Sequence, residues 1–570
     1  MSTPAQAALR RLGIERLVLS IHQASFPADT DDLGIGTPYS RRSRALLSFA
    51  RDLGFTGIAL GPGGITSRAN ASPYEGSLFS LNPSFLSLAP LVECGYLDAA
   101  QATGSRGDGT RADHARATDT SRAAIRQVRA RLRGSAATHA RELAAIDALA
   151  RDPLVAAEAA FEGAAAATGT DDWRAWPAHP PEDESAADVF VVGQWLLRGQ
   201  HARFLDDARA LGMQIYGDAQ VGVSHRDRYM QRGLFLADYR MGAPPSRTNP
   251  AGQPWNFPVP DPAQEEAVRS FVESRFAWLL ATHDGLRLDH PHGWVCPWVY
   301  STPVDEAAAL GAVQSGARLF ESPDLSDHPA LARYARVRPD QIDRARARHE
   351  DEWVMSLEPA QVEAYAAQIR LLLECARANG VDERDVMVEV LSTCPRPLAA
   401  VLAHCGLGRF RITQKARVEV EGDVYRSDGA APHDWIMAGN HDTPPLRVVV
   451  EGWRGTPECA LRAEYLSRRL EPSPAARAAF ARTLAGDTRA MSEAMLADLL
   501  VGPARRVMIF WADLFGEERY YNRGGEVHPE NWTLRLPPDF EHAYARSVEA
   551  GTAPSLERAI RMALHARGLE

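Results

Sequence analysis

Eight short runs of apolar and β-branched residues recur along this 570-residue chain, and each ends in a polar or glycine-rich corner. Near-continuous apolar runs of this length are typical of strands buried on both faces, as in a parallel sheet covered by helices. Most of the runs precede a helical stretch, so the sequence predicts an α/β fold of the (β/α)8, or TIM-barrel, type with functional residues at the strands' carboxyl ends. The runs are LVLSIHQAS (17–25), FTGIALGPGG (55–64), MQIYGD (213–218), GLRLDH (285–290), VMVEVL (386–391), FRITQK (410–415), WIMAGNHD (435–442) and VMIFWADLFG (507–516).

Three long segments interrupt the strand pattern and predict insertions on the barrel. Residues 99–185 are rich in Arg and Ala at helical spacing, which assigns 1–98 to the first part of the barrel, 99–185 to a helical insertion and 186–570 to the remainder. Residues 219–262 carry Pro, Gly and aromatic residues with little periodicity, which predicts a loop that acts as a lid. Residues 301–360 predict a third insertion that is mostly polar helix.

The composition excludes several classes of function. A net charge of −10 and a pI near 6.0 argue against a nucleic-acid or anionic-membrane partner. Six cysteines without a CxxC pair favour a reduced, cytoplasmic location. We expect no membrane span, which needs ~20 apolar residues, and the apolar run 17–21 is too short for a signal peptide. Lys415 is the only lysine among 63 basic residues, a bias attributed to GC-rich coding, and the sequence leaves the oligomeric state open.

Three carboxylates at predicted strand ends are the candidates for chemistry. Asp289 ends the fourth run, Glu389 lies in the fifth and Asp442 ends the seventh. Any one of them alone is more often a capping or ion-pairing residue, but the three are expected to converge above one barrel. Two carboxyls about 5–5.5 Å apart support retaining glycosidic chemistry, one as nucleophile and one as general acid/base. The third can stay ionised and favour an oxocarbenium-like transition state.

Neighbouring residues support this interpretation. Arg287 lies two residues before Asp289, so both side chains point to the same face and the cation keeps the aspartate ionised. The adjoining His290 and His441 are candidate donors to sugar hydroxyls. A metal site from Asp289, His290 and His292 has no recognised ligand spacing, and GPGG (61–64) lacks the Lys-Ser/Thr of a phosphate-binding loop. Because the chemistry is complete with carboxylates, no metal or organic cofactor is predicted.

Ordered motifs also carry a family resemblance, from about residue 17 to about residue 538. They are HQASFP (22–27), DLGIGT (32–37), LGPGG (60–64), SPY (72–74), LNP (81–83), WRAWP (173–177), GAPPS…AGQPWNFPVPDP (242–262), LRLDH (286–290), NHD (440–442) and YYNRGGEVHPENWTLRL (520–536). With these motifs in this order, the chain resembles the amylomaltases (4-α-glucanotransferases) of glycoside hydrolase family 77. The resemblance implies maltooligosaccharides and α-1,4-glucans as substrates.

The resemblance also implies roles for individual residues. It makes Asp289 the nucleophile, Glu389 the general acid/base and Asp442 the transition-state stabiliser. It further implies six substrate-binding residues, of which Asp218 shapes the site and Trp255 contacts the acceptor glucan. These six are Tyr74, Asp218, Trp255, Arg287, His290 and His441.

The sequence departs from the family pattern beside several of these residues. The usual Glu-Asp-Leu-Gly is Glu-Val-Leu-Ser at 389–392, and the usual Thr-His-Asp is Asn-His-Asp at 440–442. The aspartate after the paired prolines is Ser246, and the usual Trp-Gly is Trp255-Asn256. Donor length, acceptor choice and linkage preference therefore stay open.

The leading interpretation is thus an α-glucan transglycosylase, and the alternative is a retaining α-glucan hydrolase that uses the same carboxylates. A catalytically inactive glucan-binding barrel is a third interpretation, against which the three retained carboxylates argue. An unrelated barrel enzyme such as an aldolase needs a Schiff-base lysine, for which Lys415 is the only candidate.

Overall fold

The computed structural model describes residues 3–27, 32–68, 70–103, 111–247, 249–302, 315–526 and 528–570. Within these residues the chain forms twelve strands. They are β1 (Arg16–Ser20), β2 (Gly57–Ala59), β3 (Gln214–Ala219), β4 (Phe235–Ala243), β5 (Gln253–Pro260), β6 (Gly285–Leu288), β7 (Trp298–Ser301), β8 (Gly316–Arg318), β9 (Val386–Val388), β10 (Phe410–Ile412), β11 (Trp435–Met437) and β12 (Arg506–Phe510).

Eight of these strands form one parallel sheet, in the order β10-β11-β12-β1-β2-β3-β6-β9. Each of the eight predicted runs overlaps one of them. The two ends of the sheet meet where the Phe410 amide donates to the Val390 carbonyl at 3.2 Å, so the sheet is nearly closed. Consecutive residues Leu17, Val18 and Leu19 of β1 are all fully buried, as expected of a strand covered on both faces. The predicted (β/α)8 fold is confirmed.

Twenty α-helices lie in the described residues, among them those that separate the barrel strands. They are α1 (Pro4–Arg11), α2 (Arg41–Asp52), α3 (Ala89–Glu93), α4 (Ala99–Thr103), α5 (His114–Gly134), α6 (Ala140–Leu149), α7 (Pro153–Thr168), α8 (Glu184–Ala210), α9 (His225–Met230), α10 (Glu265–Ala281), α11 (His292–Val295), α12 (Pro359–Ala378), α13 (Arg396–Cys405), α14 (Leu446–Trp453), α15 (Pro457–Leu470), α16 (Pro474–Gly486), α17 (Thr488–Val501), α18 (Trp511–Phe515), α19 (Phe540–Glu549) and α20 (Leu556–Ala566). In the part of the chain that is described, none of the helices is both long and apolar enough to cross a bilayer.

Residues 99–185 contain α4 to α7 and the start of α8. Local capping signals define these helices. The Asp152 carboxylate accepts from the amides of Leu154 and Val155 at the start of α7, and Gly169 ends that helix in the left-handed region at φ 74°.

The segment 219–262 differs from the irregular lid that the sequence predicted. It contains α9 and the antiparallel strands β4 and β5, which join β7 and β8 in a second sheet ordered β5-β4-β7-β8. Prolines interrupt the alternation expected of a strand, but β5 is an edge strand, where missing amide donors cost little. Its prolines are Pro254, Pro258 and Pro260.

The expected polar helix within 301–360 is wrong for the described residues 315–358. They contain β8 and three short 3₁₀ helices, at Pro329–Tyr334, Pro339–Gln341 and Asp351–Trp353. Prolines 323, 329 and 339 keep a longer helix from forming across this stretch. Residues 303–314 of this prediction lie outside the described residues.

Candidate active site

The candidate residues lie at the carboxyl ends of consecutive barrel strands. Asp218 is near the end of β3, and Asp289 and Glu389 directly follow β6 and β9. The Asp289 amide donates to the Ala219 carbonyl, and the Glu389 amide donates to the Leu288 carbonyl, both at 3.0 Å. Backbone hydrogen bonds between neighbouring strands therefore place these three carboxylates side by side.

Arg287, in β6, joins the three carboxylates. Its Nη1 lies 2.6 Å from Asp218 Oδ2, and its Nη2 lies 3.2 Å from Asp289 Oδ1 and 2.6 Å from Glu389 Oε2. The Tyr74 hydroxyl donates to the same Asp218 oxygen at 3.0 Å. All four side chains are at least nine-tenths buried, so the guanidinium is positioned to compensate the charge of the buried carboxyl groups that it contacts.

Asp218 and Asp289 respond differently to this environment. Burial raises the pKa of Asp218 to about 6, with Arg287 opposing the rise. Burial also raises the pKa of Asp289. This rise is outweighed by the charge and hydrogen bond of His290, followed by the charge of Arg287 and the Val221 amide, all of which lower the pKa. The net result is an Asp289 pKa well below the ordinary value, so this carboxylate is ionised at neutral pH.

His290 is positioned to charge-balance the pair of carboxylates. Its Nδ1 lies 3.1 Å from Asp289 Oδ1 and 3.6 Å from Glu389 Oε2. Burial lowers the His290 pKa, but Asp289 and then Glu389 raise it, to about 9. His290 is therefore an imidazolium at neutral pH.

Asp442 follows β11 in an open part of the cleft, where its side chain is 40% exposed. Its Oδ2 lies 3.3 Å from His441 Nε2, and its Oδ1 accepts from the Asn522 side-chain amide at 2.6 Å. Partial burial raises the Asp442 pKa, but His441 and Asn522 lower it more, so the net pKa lies below the ordinary value. The His441 ring stacks on Tyr74 with centroids 5.0 Å apart, which brings Asp442 to the Asp218 side of the cleft.

Asp289, His290 and Glu389 each offer one ligand atom within 4.8 Å of the others, a spacing that could hold a metal ion. The Arg287 guanidinium already contacts both carboxylates of this group. His292, considered as a ligand from the sequence, is instead partly buried with its Nε2 2.9 Å from the Thr393 carbonyl, and burial lowers its pKa to about 3. Arg287 thus already supplies a positive charge to the two carboxyl groups of this cluster.

The sequence that forms this site is similar to that of known proteins. A sequence profile of the 4-alpha-glucanotransferases, glycoside hydrolase family 77, matches residues 21–541. The chain belongs to glycoside hydrolase family 77.

Solved structures in this family share the fold. The amylomaltase from Streptococcus agalactiae in complex with acarbose has a TM-score of 0.72 at 17% identity, covering 97% of this chain and 99% of that chain. The amylomaltase from Corynebacterium glutamicum has a TM-score of 0.65 at 19% identity, covering 99% and 77%. A chloroplastic/amyloplastic 4-alpha-glucanotransferase from Solanum tuberosum is 28% identical over 132 residues, which span 22% of this chain and 23% of the potato protein. The family resemblance predicted from the motifs is confirmed.

Trp255 lies in β5, beside His290 of the candidate site. Its ring is 4.8 Å from that of His290 and nearly perpendicular to it, and the residue is only partly buried. The next residue, Asn256, has a φ of 61°. Asparagine tolerates this left-handed conformation better than most residues, which explains how the usual glycine of the family motif can be replaced.

The family motifs also contain residues to which the sequence assigned no role. His22 is buried at the centre of an aromatic group formed with Tyr74, His441, Tyr521 and Trp532, at centroid distances of 5.1 to 6.1 Å. Neither of its ring nitrogens has a hydrogen-bond partner within the described structure. Burial, followed by the nearby His441 and Arg287, lowers its pKa, so the ring is neutral.

The GPGG motif, which the sequence only excluded as a phosphate-binding loop, makes room for this aromatic group. A Cβ on Gly61 would lie 1.8 Å from His22 Cδ2, and a Cβ on Gly64 would lie 1.9 Å from the Ser77 carbonyl oxygen. These glycines therefore allow two chain segments to approach the site closely.

Three non-glycine residues in the described structure have a positive φ, and all of them adjoin the site. They are Asn256, His290 and Trp532. Left-handed backbone at non-glycine residues is unusual and often marks functional positions. At His290 this conformation accompanies the contacts of its Nδ1 with the two carboxylates.

Proposed function

We propose that the protein is a retaining 4-α-glucanotransferase. It cleaves an α-1,4 bond of a maltooligosaccharide or α-1,4-glucan and transfers the donor segment to the 4-hydroxyl of an acceptor glucan or glucose. The observation that carries the proposal is the pair of carboxyl oxygens of Asp289 and Glu389, which lie within 4.8 Å of each other. This is close to the spacing of about 5–5.5 Å in retaining enzymes and shorter than the roughly 6.5–9.5 Å of inverting ones.

In the first step Asp289 attacks the anomeric carbon and Glu389 protonates the departing glycosidic oxygen. The carbon–oxygen bond to the leaving glucan breaks as the bond to Asp289 forms. In the second step the acceptor 4-hydroxyl attacks the same carbon, gives its proton to Glu389 and releases Asp289. Two inversions at one carbon give net retention.

The charges around Asp289 suit the nucleophile's role. Arg287 and the His290 imidazolium favour the ionised carboxylate in the free enzyme. Asp442, which is also ionised, would favour the positive charge that develops on the sugar ring. Tyr74, His441 and Asp218 would surround the sugar at the cleavage point.

Two features of the cleft affect whether a sugar or water acts as the acceptor. Trp255 offers a partly exposed ring beside His290, and aromatic rings bury the apolar faces of sugars. The complex of the Streptococcus amylomaltase with acarbose supports a cleft of this kind for α-glucans. The exposed Asp442 side chain, however, leaves water access, which favours a retaining α-glucan hydrolase as the second candidate.

Incubation of the purified protein with maltotriose separates the two functions. Transfer gives glucose and a ladder of longer oligosaccharides, whereas hydrolysis gives only shorter products. The matched control is Asp289→Asn, which keeps the shape of the side chain and removes its charge. Absence of any turnover by the unsubstituted protein on maltotriose and on longer maltooligosaccharides would remove both candidates.

We also propose that the protein is located in the cytoplasm. All six cysteines are free, as expected for a protein kept in a reducing compartment. Fractionation of the native host, followed by immunodetection, tests this point.

A further inference from the structure

The single lysine of the chain lies beside the candidate active site. Of 63 basic residues, 62 are arginine, so arginine serves wherever a surface or buried cation is needed. Lys415 ends the 3₁₀ turn Thr413–Lys415, which directly follows β10. It is thus located at the carboxyl end of a barrel strand, where functional residues of this fold are found.

Two carboxylates of the candidate active site act on the Lys415 ammonium. Burial lowers its pKa, whereas Asp442 and Glu389 raise it and Arg247 lowers it. Among the described residues, no carboxylate lies within ion-pairing distance of its Nζ. The two carboxylates therefore act on its positive charge through space, without an ion pair to either of them.

The nearby Arg247 is used differently. Its Nη1 pairs with Asp423 at 2.8 Å, and its Nη2 donates to the Lys415 carbonyl at 3.0 Å. Arg247 belongs to the segment 242–262, so this hydrogen bond fixes that segment against the end of β10. Of these two neighbouring cations, Arg247 is thus paired with a carboxylate, whereas Lys415 forms no ion pair with any residue that the structure describes.

An arginine at position 415 would not be equivalent. Its longer, forked guanidinium forms bidentate pairs with carboxylates and would compete with Arg287 for Glu389. An ammonium is compact and has three donors on a flexible stem, which suits hydrogen bonds to hydroxyl groups. The geometry therefore favours a lysine that contacts substrate rather than one that pairs with protein.

We propose that Lys415 is a glucan-binding residue whose ammonium donates hydrogen bonds to sugar hydroxyls between the end of β10 and the segment 242–262. The proposal rests on the proposed function in that it takes an α-glucan as the ligand. It adds a contact at the carboxyl end of β10 to the one proposed for Trp255 in β5.

The presence of a single lysine makes a direct test possible on the unsubstituted protein. An amine-selective acetylating reagent has only two targets, Lys415 and the N-terminal amine, which peptide mass spectrometry distinguishes. Saturating maltopentaose is expected to slow the acetylation of Lys415 at least fivefold and to leave the N-terminal amine unaffected. Acetylation is expected to raise KM for maltotriose about tenfold, with a smaller change in kcat.

Two controls separate binding from structural effects. Reductive dimethylation keeps the positive charge and one N–H donor, so it is expected to impair the enzyme less than acetylation does. Lys415→Arg removes the only side-chain amine while retaining a cation, so any effect of either reagent on this variant reports the N-terminal amine. Thermal unfolding of each modified sample shows whether the fold is intact.

Equal rates of Lys415 acetylation with and without maltopentaose would overturn the proposal. An unchanged KM after complete acetylation of Lys415 would do the same. Protection by maltopentaose requires no turnover, so it is measured even if the untreated protein fails to transfer. Absence of transfer would count against the proposed function, whereas the protection experiment decides the role of Lys415.

Discussion

Arg287 is the residue on which the electrostatics of the site depend most, because its guanidinium contacts three buried carboxylates. Replacing Arg287 by Gln leaves those charges uncompensated, so we expect a loss of about 3–5 kcal/mol in the free energy of unfolding. We also expect kcat/KM to fall at least a thousandfold, the equivalent of about 4 kcal/mol. Steady-state kinetics and urea unfolding measure the two effects.

The Arg287→Gln substitution should also change how the free energy of unfolding depends on pH. Without the guanidinium, buried carboxyls hold their protons to higher pH in the folded state than in the unfolded state. The variant then binds more protons when folded, and its stability falls as pH rises. Arg287→Gln should therefore lose more stability relative to the unsubstituted protein at pH 8 than at pH 5. An equal loss at both pH values would contradict the electrostatic explanation.

Trp255 is the residue through which acceptor choice is most directly tested. An aromatic ring under a sugar contributes roughly 1–2 kcal/mol, so Trp255→Ala should lower transfer about tenfold and hydrolysis much less. The measurement is the ratio of transferred to hydrolysed product from maltotriose. Trp173→Ala, which removes an indole stacked on His225 at the start of α9, is the matched control. An unchanged ratio for Trp255→Ala would place acceptor selection elsewhere.

At the scale of elements, the loop between β11 and α14 depends on a buried side chain of α18. Asp513 Oδ1 accepts from the Leu446 amide at 2.7 Å, whereas its Oδ2 is buried without a hydrogen-bond partner in the described structure. Burial raises the pKa of Asp513 to about 7, and the Leu446 and Gly439 amides oppose the rise. Asp513 thus holds the start of α14, where the loop that carries Asp442 ends.

Because the folded pKa is raised, the contribution of Asp513 to stability is fully present below about pH 4 and is lost as pH rises through about 7. Asp513→Asn cannot ionise and keeps an acceptor for the Leu446 amide. We expect it to be more stable than the unsubstituted protein at pH 8, by about 1 kcal/mol or more, and to keep a smaller advantage at pH 5. Thermal unfolding at both pH values measures this, and a stability difference that does not change with pH would contradict it.

The elements that could be predicted from the sequence are those with a local signal. A strand buried on both faces is a contiguous apolar run, so all eight barrel strands were visible, and the carboxylates followed from their positions at the strand ends. Strands β4 and β5 could not be predicted, because their prolines are tolerated only through a pairing that the local sequence does not reveal. Tyr74 and Asp218 were indicated by family resemblance alone, although Asp218 also ends a predicted apolar run, MQIYGD (213–218).

Residues that reach the site from distant parts of the chain were also missed. His22 and Trp532 contribute to one aromatic group although 510 positions separate them. Asn522 contacts Asp442 across 80 positions. The only signals were that all three lie within motifs of the family resemblance and that glycines at 61 and 64 allow close approach.

At the scale of the whole molecule, residues late in the sequence contact residues near its start. Arg535 forms a bidentate pair with Asp32 at 2.9 and 2.8 Å, and its side chain is fully buried. The Leu536 amide also donates to the Ser25 carbonyl at 3.0 Å. These contacts close the structure beside the aromatic group of His22.

Breaking that pair should destabilise the entire fold. Arg535→Leu leaves the Asp32 carboxylate buried without its partner, so we expect a loss of about 3–5 kcal/mol in the free energy of unfolding. The double variant Asp32→Asn with Arg535→Leu removes the unpaired charge and should recover part of the loss. Urea unfolding measures both, and a single variant within about 0.5 kcal/mol of the unsubstituted protein would show that the pair contributes little.

The parallel pairing of β1 with β12 has a consequence for biosynthesis. Arg16 pairs with Arg506, so 506 − 16 = 490 residues must be translated after the first strand before its final neighbour exists. At about 5–20 residues per second, this interval is roughly 25–100 s. During this time one edge of β1 exposes unpaired backbone groups on the ribosome, and an exposed strand edge is a template for aggregation. The nascent chain therefore needs protection, from its own earlier segments or from a chaperone, until the barrel can close.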